Sequence, residues 1–107
     1  MSAEPTELFD EVGYPSDEIL AYIAKWEPAI EFDFKPLMDL IGRIWAYPDC
    51  FYADPYNRTY ALLTAGWSGN EDIIQALRNN LLFWTMCWMS SHRGGKHVFV
   101  LPEVKVE

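Results

Sequence analysis

One stretch constrains what this chain can fold into more than any other. Gly66-Trp67-Ser68-Gly69-Asn70-Glu71-Asp72 is followed by a mostly apolar run and then by His92-Arg93-Gly94-Gly95. Read locally, this is one long helix with both ends specified. Ser68 and Glu71 stand three apart, the spacing of a capping box in which the serine oxygen accepts from the Glu71 N–H and the glutamate reaches back. Glu71 and Asp72 place negative charge on the positive end of the helix dipole, and His92 and Arg93 complement its negative end. Gly94 supplies the left-handed residue that stops a helix.

The chain has 107 residues, enough for one domain and one core. Half the residues are hydrophobic and 16% are aromatic, a composition that excludes a disordered chain. Its richest apolar run, Leu81 to Met89, is far shorter than the roughly eighteen residues a membrane span needs. The N-terminus has no basic region followed by an apolar one, so secretion is not expected. Cys50 and Cys87 are the only cysteines and lack CxxC spacing; a disulfide is open, but two buried free thiols in a reducing cytoplasm are the expectation.

The net charge of −8 is unevenly placed. Residues 1 to 35 hold nine acids (Glu4, Glu7, Asp10, Glu11, Asp17, Glu18, Glu27, Glu31, Asp33) against Lys25 and Lys35, and the remainder sums to −1. Such a chain repels nucleic acid. The acidic third reads either as a solubilising face or as a surface complementary to a basic partner.

Residues 1 to 13 have few apolar anchors beyond Leu8, Phe9 and Val12 and are expected to form a loosely ordered arm ahead of a single domain over 14 to 107. Pro15 and Ser16 open a first helix with the stripe Ile19, Tyr22, Ile23 and Trp26, closed by Pro28. A second is expected to be capped by Asp33, with Pro36 in its first turn and the stripe Leu37, Leu40, Ile41, Ile44 and Trp45. Cys50 to Ala53 and Arg58 to Ala65 flank the turn Asp54-Pro55-Tyr56-Asn57 and read as a hairpin, with Tyr60, Leu62 and Thr64 sharing a face. Lys96 to Leu101 reads as a last strand ended by Pro102. The expected fold is therefore α+β in the order α-α-β-β-α-β, with a three-stranded, mainly antiparallel sheet packed on helices.

The third helix would be apolar on two sides. Ile73, Ile74, Leu77, Leu81, Trp84 and Trp88 make one stripe, while Leu82, Phe83, Met86 and Met89 make the other. A helix apolar all round is buried all round. The preferred reading sandwiches it between the sheet and the first two helices; a homodimer or a partner protein is the alternative.

Trp67-Ser68-Gly69-Asn70-Glu71-Asp72-Ile73-Ile74, then Phe83-Trp84, then Arg93-Gly94-Gly95-Lys96-His97 resembles small uncharacterised proteins encoded by bacteriophages and prophages. The resemblance spans residues 60 to 100. It implies a mobile-element origin and a bacterial cytoplasm as the place of work, and it brings no activity with it.

The residues offer little catalytic chemistry. His92 and His97 lack metal-ligand spacing with each other or with the cysteines, so neither a metal nor a cofactor is expected. Gly-Trp-Ser-Gly-Asn lacks the second half of a nucleophile elbow, and no phosphate loop is present. Arg93, Lys96 and His97 are the densest basic segment. They either complement a helix end and guard a sheet edge or form a small anion site, which Arg58 and Arg78 would join if folding brought them near. Trp26, Trp45, Trp84 and Trp88 are assigned to the core. Trp67 and Tyr56, in turns, join Asp17, Glu18 and Glu31 as candidate partner contacts.

Three functions follow from these features. The first is a phage-type accessory protein that binds a basic host protein surface and inhibits a host defence factor such as a CRISPR effector, with no direct contact to nucleic acid or membrane. The second is a small-molecule or nucleotide binder using Arg93, Lys96 and His97. The third is an unidentified enzyme, which would need a concave polar pocket.

Overall fold

In the computed structural model, residues 4 to 104 are described, and they form an α+β domain whose helices all pack on one face of a four-stranded antiparallel sheet. The first helix, α1 (Asp17–Lys25), starts as its residues require. The Ser16 hydroxyl accepts from the Ile19 N–H at 3.1 Å, and Asp17 and Glu18 occupy the first turn. Ile19 and Ile23 are fully buried. In α2 (Lys35–Ile44) the cap is displaced by one residue from the expected one. Phe34 takes the cap position without a side-chain bond, while the Asp33 carboxylate accepts from the Lys35 N–H at 3.3 Å. Phe34 is drawn into that position because its ring is itself core, 1% exposed and edge-on to Phe83.

The hairpin forms as expected, with β1 (Phe51–Asp54) and β2 (Thr59–Leu63) joined by the Asp54 to Asn57 turn. Tyr60, Leu62 and Thr64 are buried against the helices. The turn is held by the Asp54 carboxylate, which accepts from the Asn57 side-chain amide at 2.7 Å.

The long third helix is not one helix. It is α3 (Ser68–Asn79), a break at Asn80, α4 (Leu81–Cys87) and then a strand, β3 (Trp88–His92). Asn80 causes the break. Its side-chain carbonyl accepts from the Phe83 N–H at 3.0 Å and so caps α4. Its amide donates to the carbonyls of Ile23 at 2.9 Å and Trp26 at 2.8 Å, at the end of α1. The helix stops where a buried side chain satisfies three backbone groups better than another turn would.

The strand that follows raises the sheet from the expected three strands to four. β3 pairs with β4 (Lys96–Val100) across the turn at Arg93 to Gly95, and β4 lies between β3 and β2, giving the order β1-β2-β4-β3. His92 and Arg93 therefore end a strand and begin a hairpin turn instead of complementing a helix. Gly94 and Gly95, at φ +88° and +84°, make that turn. Gly95 has a second reason to lack a side chain, since a Cβ there would overlap the Thr64 hydroxyl.

The expected capping box is also replaced. Trp67 is the cap residue and Ser68 is already helical, its hydroxyl lying 3.4 Å from that of Tyr14. The Trp67 ring covers Gly69, where a Cβ would clash with it, and packs at a tilt against Tyr14, 5.0 Å between centroids. Ser68 beside Tyr14, and Asn80 beside Ile23 and Trp26, make α1 and α3 run side by side in the same direction. A second buried amide, Asn70, fastens α3 to the end of α2. It accepts from the Ala46 N–H at 3.0 Å and donates to the Ala46 carbonyl at 3.1 Å.

The core is a single cluster from α1, α2, α3, α4 and the helix-facing side of β2 and β4, including Leu37, Ile41, Leu62, Ile73, Phe83 and Phe99. Trp45 is buried, its indole donating to the Leu63 carbonyl at 3.1 Å, and Trp26 and Trp84 pack partly buried against the cluster. Trp88, expected in the core, is exposed on the edge strand and stacks on Trp84 at 5.8 Å. Both cysteines are free; Cys87 is buried, whereas Cys50 is half-buried and not enclosed as expected. No helix among the described residues is long and apolar enough to cross a membrane.

Candidate interaction surface

Residues 4 to 16 curl back on the start of α1. The Asp10 carboxylate accepts from the N–H groups of Val12 at 3.0 Å and Tyr14 at 2.9 Å, an Asx turn that reverses the chain. Phe9 bridges Pro15, the Ser16 N–H donates to the Leu8 carbonyl at 3.0 Å, and the Ser16 hydroxyl donates to the Glu7 carbonyl at 2.8 Å. Leu8 packs against the core beneath this turn.

The curl and the first turn of α1 enclose a recess of about 450 Å³ lined by Glu7, Phe9, Asp10, Glu11, Ser16, Asp17 and Glu18. Five carboxyl side chains share it with one exposed ring and no cation. Asp17 and Glu18 are the two candidate contacts that the fold brings together here. Glu7, Phe9, Asp10 and Glu11 join them, which sequence reading missed as a group. The signal was Asp10 followed by Gly13, the composition of a reversing turn.

Elsewhere the candidates are dispersed. Glu31 is exposed in the loop between α1 and α2, and Tyr56, 91% exposed, sits at the tip of the β1–β2 hairpin. Trp67 is half-buried and occupied with Tyr14 and Gly69.

The basic segment does not converge. Alternation along β4 puts His97 on the helix-facing side, in register with Leu62 and in line with Phe99, and turns Lys96 to the opposite face beside His92. Arg93 is exposed in the turn between the strands. His97 Nδ1 lies 2.9 Å from the Ser91 hydroxyl. Burial holds the His97 imidazole below its ordinary range, the nearby Arg78 charge lowers it further, and Glu71 partly opposes both. The Arg78 guanidinium lies over the Trp84 ring at 5.0 Å. Arg58 lies at the other end of the sheet, where its Nε donates to the Leu101 carbonyl at 3.1 Å.

An apolar cavity of about 270 Å³ lies between Phe34, Tyr60, Leu101 and Pro102. The cations at its edge are already engaged, Arg58 with Leu101 and Lys35 with Asp39 at 3.0 Å. Among the described residues, no group of three or more His, Cys, Asp or Glu side chains could hold a metal ion. Comparison with protein-family models, with curated proteins and with solved structures finds no match.

Proposed function

We propose that this protein is a small acidic accessory protein of phage type that works by binding a basic surface on a host protein. In this reading, occupying a surface evolved to hold nucleic acid inhibits a defence factor, with CRISPR effectors as the class of target. One observation carries the reading: Glu7, Asp10, Glu11, Asp17 and Glu18 surround one recess that also exposes Phe9. Clustered carboxylates around an apolar anchor suit a partner that presents lysines and arginines beside an apolar contact. The nucleotide-binding alternative draws less support, because Lys96 and His97 face opposite sides of the sheet.

The purified protein mixed with lysate of its bacterial host and passed over a sizing column tests this. The expected result is one host protein co-eluting stoichiometrically, with affinity falling as salt rises and lost in the double variant Asp17→Lys, Glu18→Lys. A complex that ignores both salt and charge reversal, or no complex at all, overturns the reading.

A further inference from the structure

We infer that the apolar cavity at the hairpin-turn end of the sheet is a binding site for a free aromatic amino acid, taken as a zwitterion. The cavity, about 270 Å³, lies between the start of α2, the β1–β2 turn and the segment after β4, and Phe34, Tyr60, Leu101, Pro102 and Val104 line it. It is smaller than the roughly 300–1,000 Å³ that drug-sized ligands fill, so it suits a single ring with a short polar end.

One buried donor points to a ligand. Tyr60 is 4% exposed, and its hydroxyl has no hydrogen-bond partner among the described residues. Among those residues no fully enclosed side-chain nitrogen or oxygen lacks a partner, so this hydroxyl is not sealed in the core; it opens on the cavity that Tyr60 lines. Burial pushes the phenol up from its ordinary range while the Lys35 charge partly opposes, so at neutral pH the group keeps its proton and can donate.

The charges at the mouth name the ligand class. Arg58 is held at φ +54°, a left-handed conformation in which glycine or asparagine is the usual residue. Its carbonyl accepts from the Leu101 N–H at 2.8 Å, and its Nε donates to the Leu101 carbonyl at 3.1 Å. These two bonds fix the guanidinium beside the cavity and leave its terminal nitrogens for a carboxylate, with the Tyr60 hydroxyl as a further donor. Glu103, two residues beyond Leu101, is exposed at the same cavity and forms no ion pair among the described residues. Lys35 is committed to Asp39, and the Asp33 carboxylate accepts from the Lys35 N–H. An unpaired cation and an unpaired anion thus stand at one apolar mouth. A bare carboxylate would leave Glu103 unmet and meet the repulsion of a chain of −8, and a bare amine would leave Arg58 and Tyr60 unmet. An amino acid answers both charges, its carboxylate on Arg58 and Tyr60, its ammonium on Glu103, and its ring on Leu101, Pro102 and Val104.

Isothermal calorimetry of the full chain with phenylalanine, hydrocinnamate (which lacks the ammonium) and phenethylamine (which lacks the carboxylate) tests this. Phenylalanine should bind, and each singly charged analogue should bind roughly tenfold more weakly or worse, as expected when a charged hydrogen-bonding partner is lost. Tyr60→Phe should weaken phenylalanine binding by a similar factor and leave the urea midpoint of the ligand-free protein unchanged, because the hydroxyl has no protein partner to lose. Glu103→Gln should erase the preference for phenylalanine over hydrocinnamate. Absence of phenylalanine binding at millimolar concentration, an analogue that binds as tightly, a Tyr60→Phe variant that loses stability instead of affinity, or a Glu103→Gln variant that keeps the preference would each overturn the inference. The cavity shares no residue with the acidic recess, so capture of a host protein and binding of phenylalanine can each fail alone.

Discussion

Replacing Asn80 should damage this protein more than its polarity and position in the sequence suggest. The side chain is 4% exposed and makes three bonds: one accepted from the Phe83 N–H and two donated to the carbonyls of Ile23 and Trp26. In Asn80→Ala the loss of the α4 cap costs about 1 kcal/mol. The Ile23 carbonyl keeps a bond from the Trp26 N–H at 3.2 Å, so the larger penalty falls on the Trp26 carbonyl. Leaving that group unsatisfied costs about 1–3 kcal/mol, for a total near 3 kcal/mol. Against a domain stability of about 5–15 kcal/mol, this should move the urea midpoint down by roughly 1.5–3 M.

Asn80→Asp sharpens the test. It keeps the acceptor for Phe83 but turns an anion toward two carbonyls, so at neutral pH it should be no more stable than the alanine variant. It should regain stability in acid, where the protonated side chain can donate again. Urea unfolding followed by tryptophan fluorescence measures both. A loss below about 1 kcal/mol in the alanine variant, or a wild-type midpoint for Asn80→Asp at neutral pH, would refute the claim that the two donated bonds hold α1 to α4.

Three further outcomes follow from the structure. Gly95→Ala should cost about 2 kcal/mol or more in urea unfolding, from left-handed strain plus overlap with Thr64, and Gly94→Ala, which meets no neighbour, should cost less. Burial pushes the Cys87 thiol up to about 12, so in the native protein Ellman's reagent at mildly alkaline pH should modify Cys50 quickly and Cys87 only on unfolding. Because folding favours the protonated Cys87 thiol, its contribution to stability is present below the unfolded value near 9 and is lost as pH rises towards 12, a slope that Cys87→Ala should remove. For His97 the sign is opposite: burial and Arg78 favour the neutral ring, so its stabilising contribution is present above about 6.5 and is lost as pH falls below it. Nuclear magnetic resonance titration should put the His97 midpoint below 6.5, and a midpoint at or above that value would contradict its placement.

The elements with a strong local signal formed where the residues place them. Ser16 caps α1, the stripe from Leu37 to Ile44 is the buried side of α2, and the Asp54 to Asn57 turn joins two strands. Between residues 66 and 95 local signals misled. Ser68 and Glu71 have capping-box spacing, but the Trp67 ring, packed on Tyr14, takes the start of the helix. Asn80 looks like one polar residue in a helical run, and nothing adjacent reveals that the end of α1 presents two carbonyls to it. Asp17 and Glu18 were recognisable as exposed acids, yet their meeting with Glu7 and Glu11 depends on the reversal at Asp10.

What could be read from residue order was therefore whatever neighbours along the chain settle among themselves: charge balance, the α+β class, the capped start of α1, the hairpin turn and the apolar stripes of α1 and α2. The fourth strand, the exposure of Leu82, Met86 and Met89 and the separation of Lys96 from His97 were settled by folding. The physical reason is range. An apolar stripe says that a face seeks burial, but the supply of partners depends on the whole chain, and here α1, α2 and the sheet fill one side of α4 and leave the other uncovered.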